Sequence, residues 1–114
     1  MSSPFMPIAD SVFDSFEIDK SYLPASENED ERFRELRRVL ILRIEELIQK
    51  DIEKLKWILY RIDVNERKVY EALASNAALH YPEVLADLII ERQIEKARTR
   101  AKFNDGPADW SFDV

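Results

Sequence analysis

A chain of 114 residues with 17 Lys and Arg against 23 Asp and Glu has a net charge of −6, and is long enough for one domain around a single modest core. The acidic balance favours solubility and does not mark a nucleic-acid binder. The lack of Cys excludes disulfides, thiolate metal sites and a Cys nucleophile, and a single Gly, at 106, excludes the glycine-rich loops that wrap phosphate.

Charge is unevenly spread. Residues 1–30 carry one base and seven acids, 31–62 nine bases and six acids, 63–90 two and five, 91–103 five and two, and 104–114 three acids with no base. Acidic ends thus flank a body with two basic segments. No Lys or Arg precedes the apolar residues near the start, and no apolar run approaches the ~20 residues that span a bilayer. Neither a signal peptide nor membrane contact is expected, and the cytoplasm is the default location.

Residues 1–28 contain Pro4, Pro7 and Pro24 and lack sustained helical periodicity, so they read as an extended arm. Phe5, Met6, Ile8, Val12, Phe13, Phe16, Ile18, Tyr22 and Leu23 make that arm too apolar for an inert tail. Either it lies across the chain's own helices, with a helical turn over 10–18, or it docks on another protein. A helix is expected over 29–49, with Phe33, Leu36, Leu40, Ile44 and Leu47 as its main stripe and Arg32, Arg34, Arg37 and Arg38 on the opposite surface. The run Val39 to Leu42 covers most of the circumference, which calls for enclosure on more than one side.

Residues 51–69 are the centre of the chain. Ile52, Leu55, Ile58, Leu59 and Ile62 give a second helix an apolar face over 52–62. An unbroken helix over 31–62 would be roughly 48 Å long and would imply a dimer; a break with Asp51 as cap is preferred. Asn65 suits an N-cap, with Val64 and Val69 closing over it as a hydrophobic staple. A third helix over 66–76 is expected to bury Val69, Tyr70 and Leu73. Pro82 suits the first turn of a fourth over 82–102, whose inward side carries Leu85, Leu88, Ile89 and Ile94. From Arg92 onward bases dominate: Arg92, Lys96, Arg98, Arg100 and Lys102. Gly106 and Pro107 stop the helix, and Trp110, Phe112 and Val114 then alternate with polar residues in an acidic, aromatic tail over 104–114. The expected class is all-α, a compact four-helix domain over 29–103 with extended arms at both ends. The segments WILYRIDVNERKV and ADLIIERQIEKARTR, over 57–100, resemble those of short uncharacterised bacterial helical proteins. That resemblance implies a small helical bacterial protein and no particular activity.

Chemistry is sparse. A di-metal bundle site needs glutamates with Glu-x-x-His pairs, and His80 with Glu83 gives the reverse order across a helix start. Glu45 and Glu46 are adjacent and diverge on a helix. Ser11, Ser15, Ser21, Ser26, Ser75 and Ser111 lie in the arms or at helix ends, and His80 is the only neutral-pH base. No catalytic, metal or cofactor site is therefore expected, and no enzyme activity. The expected function is a protein-interaction or regulatory module, its acidic aromatic arms packing on or exchanging from a basic helical body. The partner would be an unidentified protein or a second copy in a homodimer. Arg34, Arg37, Arg38, Arg92, Lys96, Arg98, Arg100, Trp110, Phe112 and Val114 are the candidate interaction residues. The alternative is a nucleic-acid-binding regulator using a helix-turn-helix-like unit over 52–74 or the basic surface of the last helix.

Overall fold

In the computed structural model, residues 5–23, 25–74 and 80–104 are described, the side chains of 72, 73 and 100–104 excepted. The described residues form five α-helices: α1 Phe5–Phe16, α2 Glu29–Lys50, α3 Ile52–Arg61, α4 Glu66–Ala74 and α5 Tyr81–Asn104. A 3-10 turn, Lys20–Tyr22, lies between α1 and α2. No strand occurs among the described residues. The all-α class is as expected, whereas the arm expected to be extended carries α1 over Phe5–Phe16.

Helix α1 forms because Phe5, Ile8, Ala9, Val12, Phe13 and Phe16 recur at spacings of three and four and are all buried. Pro7 is no obstacle, since it is the third residue of the helix and its missing N–H falls where no intrahelical acceptor exists. α1 packs on α2 and α5, and α2 packs on α5 and α3. The core is completed by Leu36, Leu40 and Ile44 of α2, Leu55 and Ile58 of α3, and Leu85 and Ile89 of α5. Phe5 meets Phe33 edge-on at 5.0 Å, and the Arg32 guanidinium lies 4.3 Å above the Phe5 ring. Among the described residues one polar side chain is taken inside. Gln93, 3% exposed, accepts a hydrogen bond from the Ser11 hydroxyl at 3.0 Å. The expected enclosure of α2 is incomplete, for Val39 and Leu40 are buried but Leu42 is 55% exposed.

Asp51 breaks the long helix. Its backbone N–H donates to Leu47 O at 2.8 Å, closing α2, and its carboxylate accepts from Lys54 N at 3.1 Å, opening α3. Asn28 caps α2 by accepting from Glu31 N, and Asn65 caps α4 by accepting from Arg67 N and Lys68 N. Val64 is buried and Val69 packs against the core, as the staple requires.

Helices α1 and α3 end by the same device. Glu17 (φ 56°) and Asp63 (φ 60°) take the left-handed conformation that usually falls to glycine. After α1, Ile18 N donates to Phe13 O at 2.8 Å and Glu17 N to Asp14 O at 3.4 Å; after α3, Val64 N donates to Leu59 O at 3.3 Å and Asp63 N to Tyr60 O at 3.2 Å. Both are Schellman motifs with an apolar residue following the left-handed one. Each is also clamped by cations from other helices. Arg43 donates to Phe16 O at 2.9 Å while Lys54 pairs with Glu17. Lys96 donates to Ile62 O at 2.8 Å, and Arg92 donates to Asp63 O at 3.0 Å and to its carboxylate at 3.1 Å. Positive charge at the carbonyl end of a helix is also favoured by the negative end of its dipole.

Candidate functional site

Helix α4 packs chiefly on α5, and the corner over 62–65 turns it away from the α1–α2 layer. An open groove of about 1170 Å³ is left between α3, the corner, α4 and α5. Leu59, Val64, Val69 and Leu88 give it an apolar floor, each buried or half-buried. Tyr60 stands on the α3 side, Tyr70 on the α4 side and Tyr81 at the start of α5. Tyr60 is 80% and Tyr70 72% exposed. Burial pushes the Tyr81 phenol above its ordinary value of 10.0, so the ring stays neutral across the physiological range. The rim is charged but balanced, with Lys56, Arg61, Lys68 and Arg92 against Asp63, Glu66, Glu91 and Glu95. Beside it Trp57, 56% exposed, carries the Arg61 guanidinium 4.8 Å above its ring.

Among the described residues the lining contains no His, Ser, Thr or Cys, and its hydroxyls are the phenols of Tyr60, Tyr70 and Tyr81. Among the described residues no group of three or more His, Cys, Asp or Glu is placed to hold a metal ion. His80, exposed, lies 3.2 Å from Glu83 at the start of α5, as a connection residue does. An open, aromatic, apolar-floored groove of this size exceeds the usual small-molecule pocket and suits a polypeptide segment.

The structure does not bring the basic candidates into one patch. Arg37 of α2 makes two hydrogen bonds to Asp87 of α5, at 2.7 and 3.3 Å. Arg38 pairs with Glu35 one turn away. Arg92 and Lys96 are bound to the end of α3, and only Arg92 lines the groove. Arg34 and Arg98 are exposed. The Arg100 side chain and Trp110, Phe112 and Val114 lie outside the described residues. Tyr70 is corrected from buried to exposed: α4 turns its Val69 edge to the core, and the adjacent residue, about 100° round the helix, faces out.

The sequence reading gave Tyr60 no role and placed Tyr70 in the core, so neither was a candidate for the site. The available signal was a tyrosine on each side of the corner, one of them on the polar face of 52–62. No helix among the described residues is long and apolar enough to cross a membrane. Comparison of the chain with protein-family models, with curated proteins and with solved structures finds no match in any of the three.

Proposed function

We propose that this chain is a non-enzymatic protein-interaction module, and that the groove between α3, α4 and α5 is its binding surface. One observation carries the reading: Tyr60 and Tyr70 stand exposed on either side of an apolar floor that no described residue covers. Tyr, Trp and Arg dominate binding hot spots because they combine large apolar area with a polar tip; Tyr60, Tyr70 and Arg61 line this site, and Trp57 lies outside the lining, under the Arg61 guanidinium. The nucleic-acid alternative has less support. Its reading helix, α4, offers Arg67 and Lys68, and Lys68 is 3.9 Å from Glu91, while Arg92 and Lys96 are occupied in clamping α3.

The test is site-specific photo-crosslinking of the intact chain in its host cells, with the photoreactive residue at 60, at 70, or at the exposed Gln49 of α2 as control. Discrete protein adducts are expected from 60 and 70, not from 49, and replacing the floor residue Leu88 by Trp should remove them. Equal adducts at all three positions, or none, would exclude the groove as the surface. Nuclease-sensitive adducts would transfer the site to nucleic acid.

A further inference from the structure

Resting on that reading, we infer that the partner is a second copy of this chain, the two grooves closing on one another about a two-fold axis that runs along them. A two-fold contact sets one surface against itself, so that surface must hold both halves of every complementary pair. The groove lining does. Its charges cancel as a whole, yet they are sorted by wall. The α3 wall brings Lys56 and Arg61 and no acid, a net +2. The corner, α4 and α5 together bring Asp63, Glu66, Glu91 and Glu95 against Lys68 and Arg92, a net −2. Arg92 is held at the corner by Asp63, and Lys68 comes only within 3.9 Å of Glu91, so the α5 wall presents Glu91 and Glu95. Lys56 is also 3.7 Å from Glu53, an exposed pair that a partner's carboxylate replaces at little cost.

The two charge pairs match in span, covering ~7.5 Å from Lys56 to Arg61 and ~6 Å from Glu91 to Glu95 at ~1.5 Å per residue. With the axis along the groove, the basic wall of each copy lies on the acidic wall of the other. A partner of one sign, such as a nucleic acid, matches only one of the walls. Area is the second argument. Tyr60, Tyr70 and Trp57 are 80%, 72% and 56% exposed. At ~200 Å² per aromatic side chain they leave roughly 400 Å² uncovered on each copy, about half of the ~800 Å² that each side of a standard interface buries. The half-buried floor of Leu59, Val69 and Leu88 adds to it, and the paired copies enclose both.

The test is sedimentation equilibrium of full-length chains in which one wall or the other is reversed in charge. Wild type is expected at twice the 13.5 kDa chain mass at about 100 μM, dissociating on dilution. Lys56→Glu with Arg61→Glu, and separately Glu91→Lys with Glu95→Lys, should each associate at least about tenfold more weakly. An equimolar mixture of the two variants should regain the dimer, because both contacts then join opposite charges. All four positions are exposed, so helical circular dichroism should stay that of wild type. A wild-type monomer at about 1 mM, a dimer that either variant keeps, or a mixture that stays monomeric would overturn the inference. So would growth beyond two copies, which a closed two-fold pair does not allow. Crosslinking from positions 60 and 70 keeps the two proposals apart. Adducts of twice the chain mass support both; foreign adducts beside a monomeric wild type remove only the second copy; no adduct from either position removes both.

Discussion

Glu17 and Asp63 hold a backbone conformation that costs an L-residue roughly 1–2 kcal/mol, with Asp among the better tolerated, and the chain's single Gly is used elsewhere. Replacing Asp63 by Ala or by Gly removes the same carboxylate from Arg92, so the difference between the two variants isolates the backbone. Asp63→Gly is expected to be more stable than Asp63→Ala by about 1 kcal/mol in urea unfolding; equal midpoints would show that position 63 is not held left-handed. The carboxylates add a pH dependence. Hydrogen bonds from Lys54, Arg38 and Arg43 hold Glu17, Glu35 and Glu46 respectively below their ordinary value of 4.5. A carboxylate whose folded pKa is depressed stabilises the fold above its unfolded pKa, and that contribution is lost as pH falls through the folded one. Stability should therefore decline from about pH 4.5 downward, and less steeply in Glu17→Gln than in the wild type. All three groups are exposed, so added salt should shrink the difference.

Helix α1 supplies three phenylalanines to the core, and its loss would uncover α2 and α5 together. Phe13→Ala is expected to cost about 3–5 kcal/mol, read from the shift in urea midpoint, because the surroundings of a fully enclosed ring relax only partly. The caps are smaller levers: Asp51→Ala should cost about 1 kcal/mol, with helical circular dichroism retained, since it serves the joint and not the packing. The joint at Asp51, the corner at Asn65 and the stripe of α2 could be read from spacing and cap chemistry alone, because those signals are local. α1 was obscured by proline. Pro4, Pro7 and Pro24 argued for an extended arm, although Pro7 falls in the first turn, where a proline is neutral to a helix, and the spacing from Phe5 to Phe16 already fitted one. On α4 the adjacent pair Val69 and Tyr70 gave no sign of which edge would meet α5.

Across the whole molecule, what was not legible is what depends on placing distant segments together. Arg37 and Asp87 are fifty positions apart, and Arg92 meets Asp63 across twenty-nine, so bases that look available in sequence are engaged internally. The groove likewise needs three helices and a corner in place before it exists. With Arg43, Lys54, Arg92 and Lys96 engaged at helix ends and a net charge of −6, the protein should show no measurable retention of duplex DNA or RNA at about 50 mM salt; a slope of several units in log affinity against log salt would contradict this. The evenness of the α1 stripe raises a separate question of alignment. Sliding α1 by one turn would still set apolar side chains against most of the core places they now fill, because they recur at nearly every third or fourth position. Slid one way, Pro7 would replace Ser11 opposite Gln93 and strand an amide away from water. Slid the other way, Ser15 restores a hydroxyl there, but a benzyl group must enter a space shaped for the methyl of Ala9. One setting of the helix escapes both penalties, so a hydroxyl, an amide and a methyl together act as its detent.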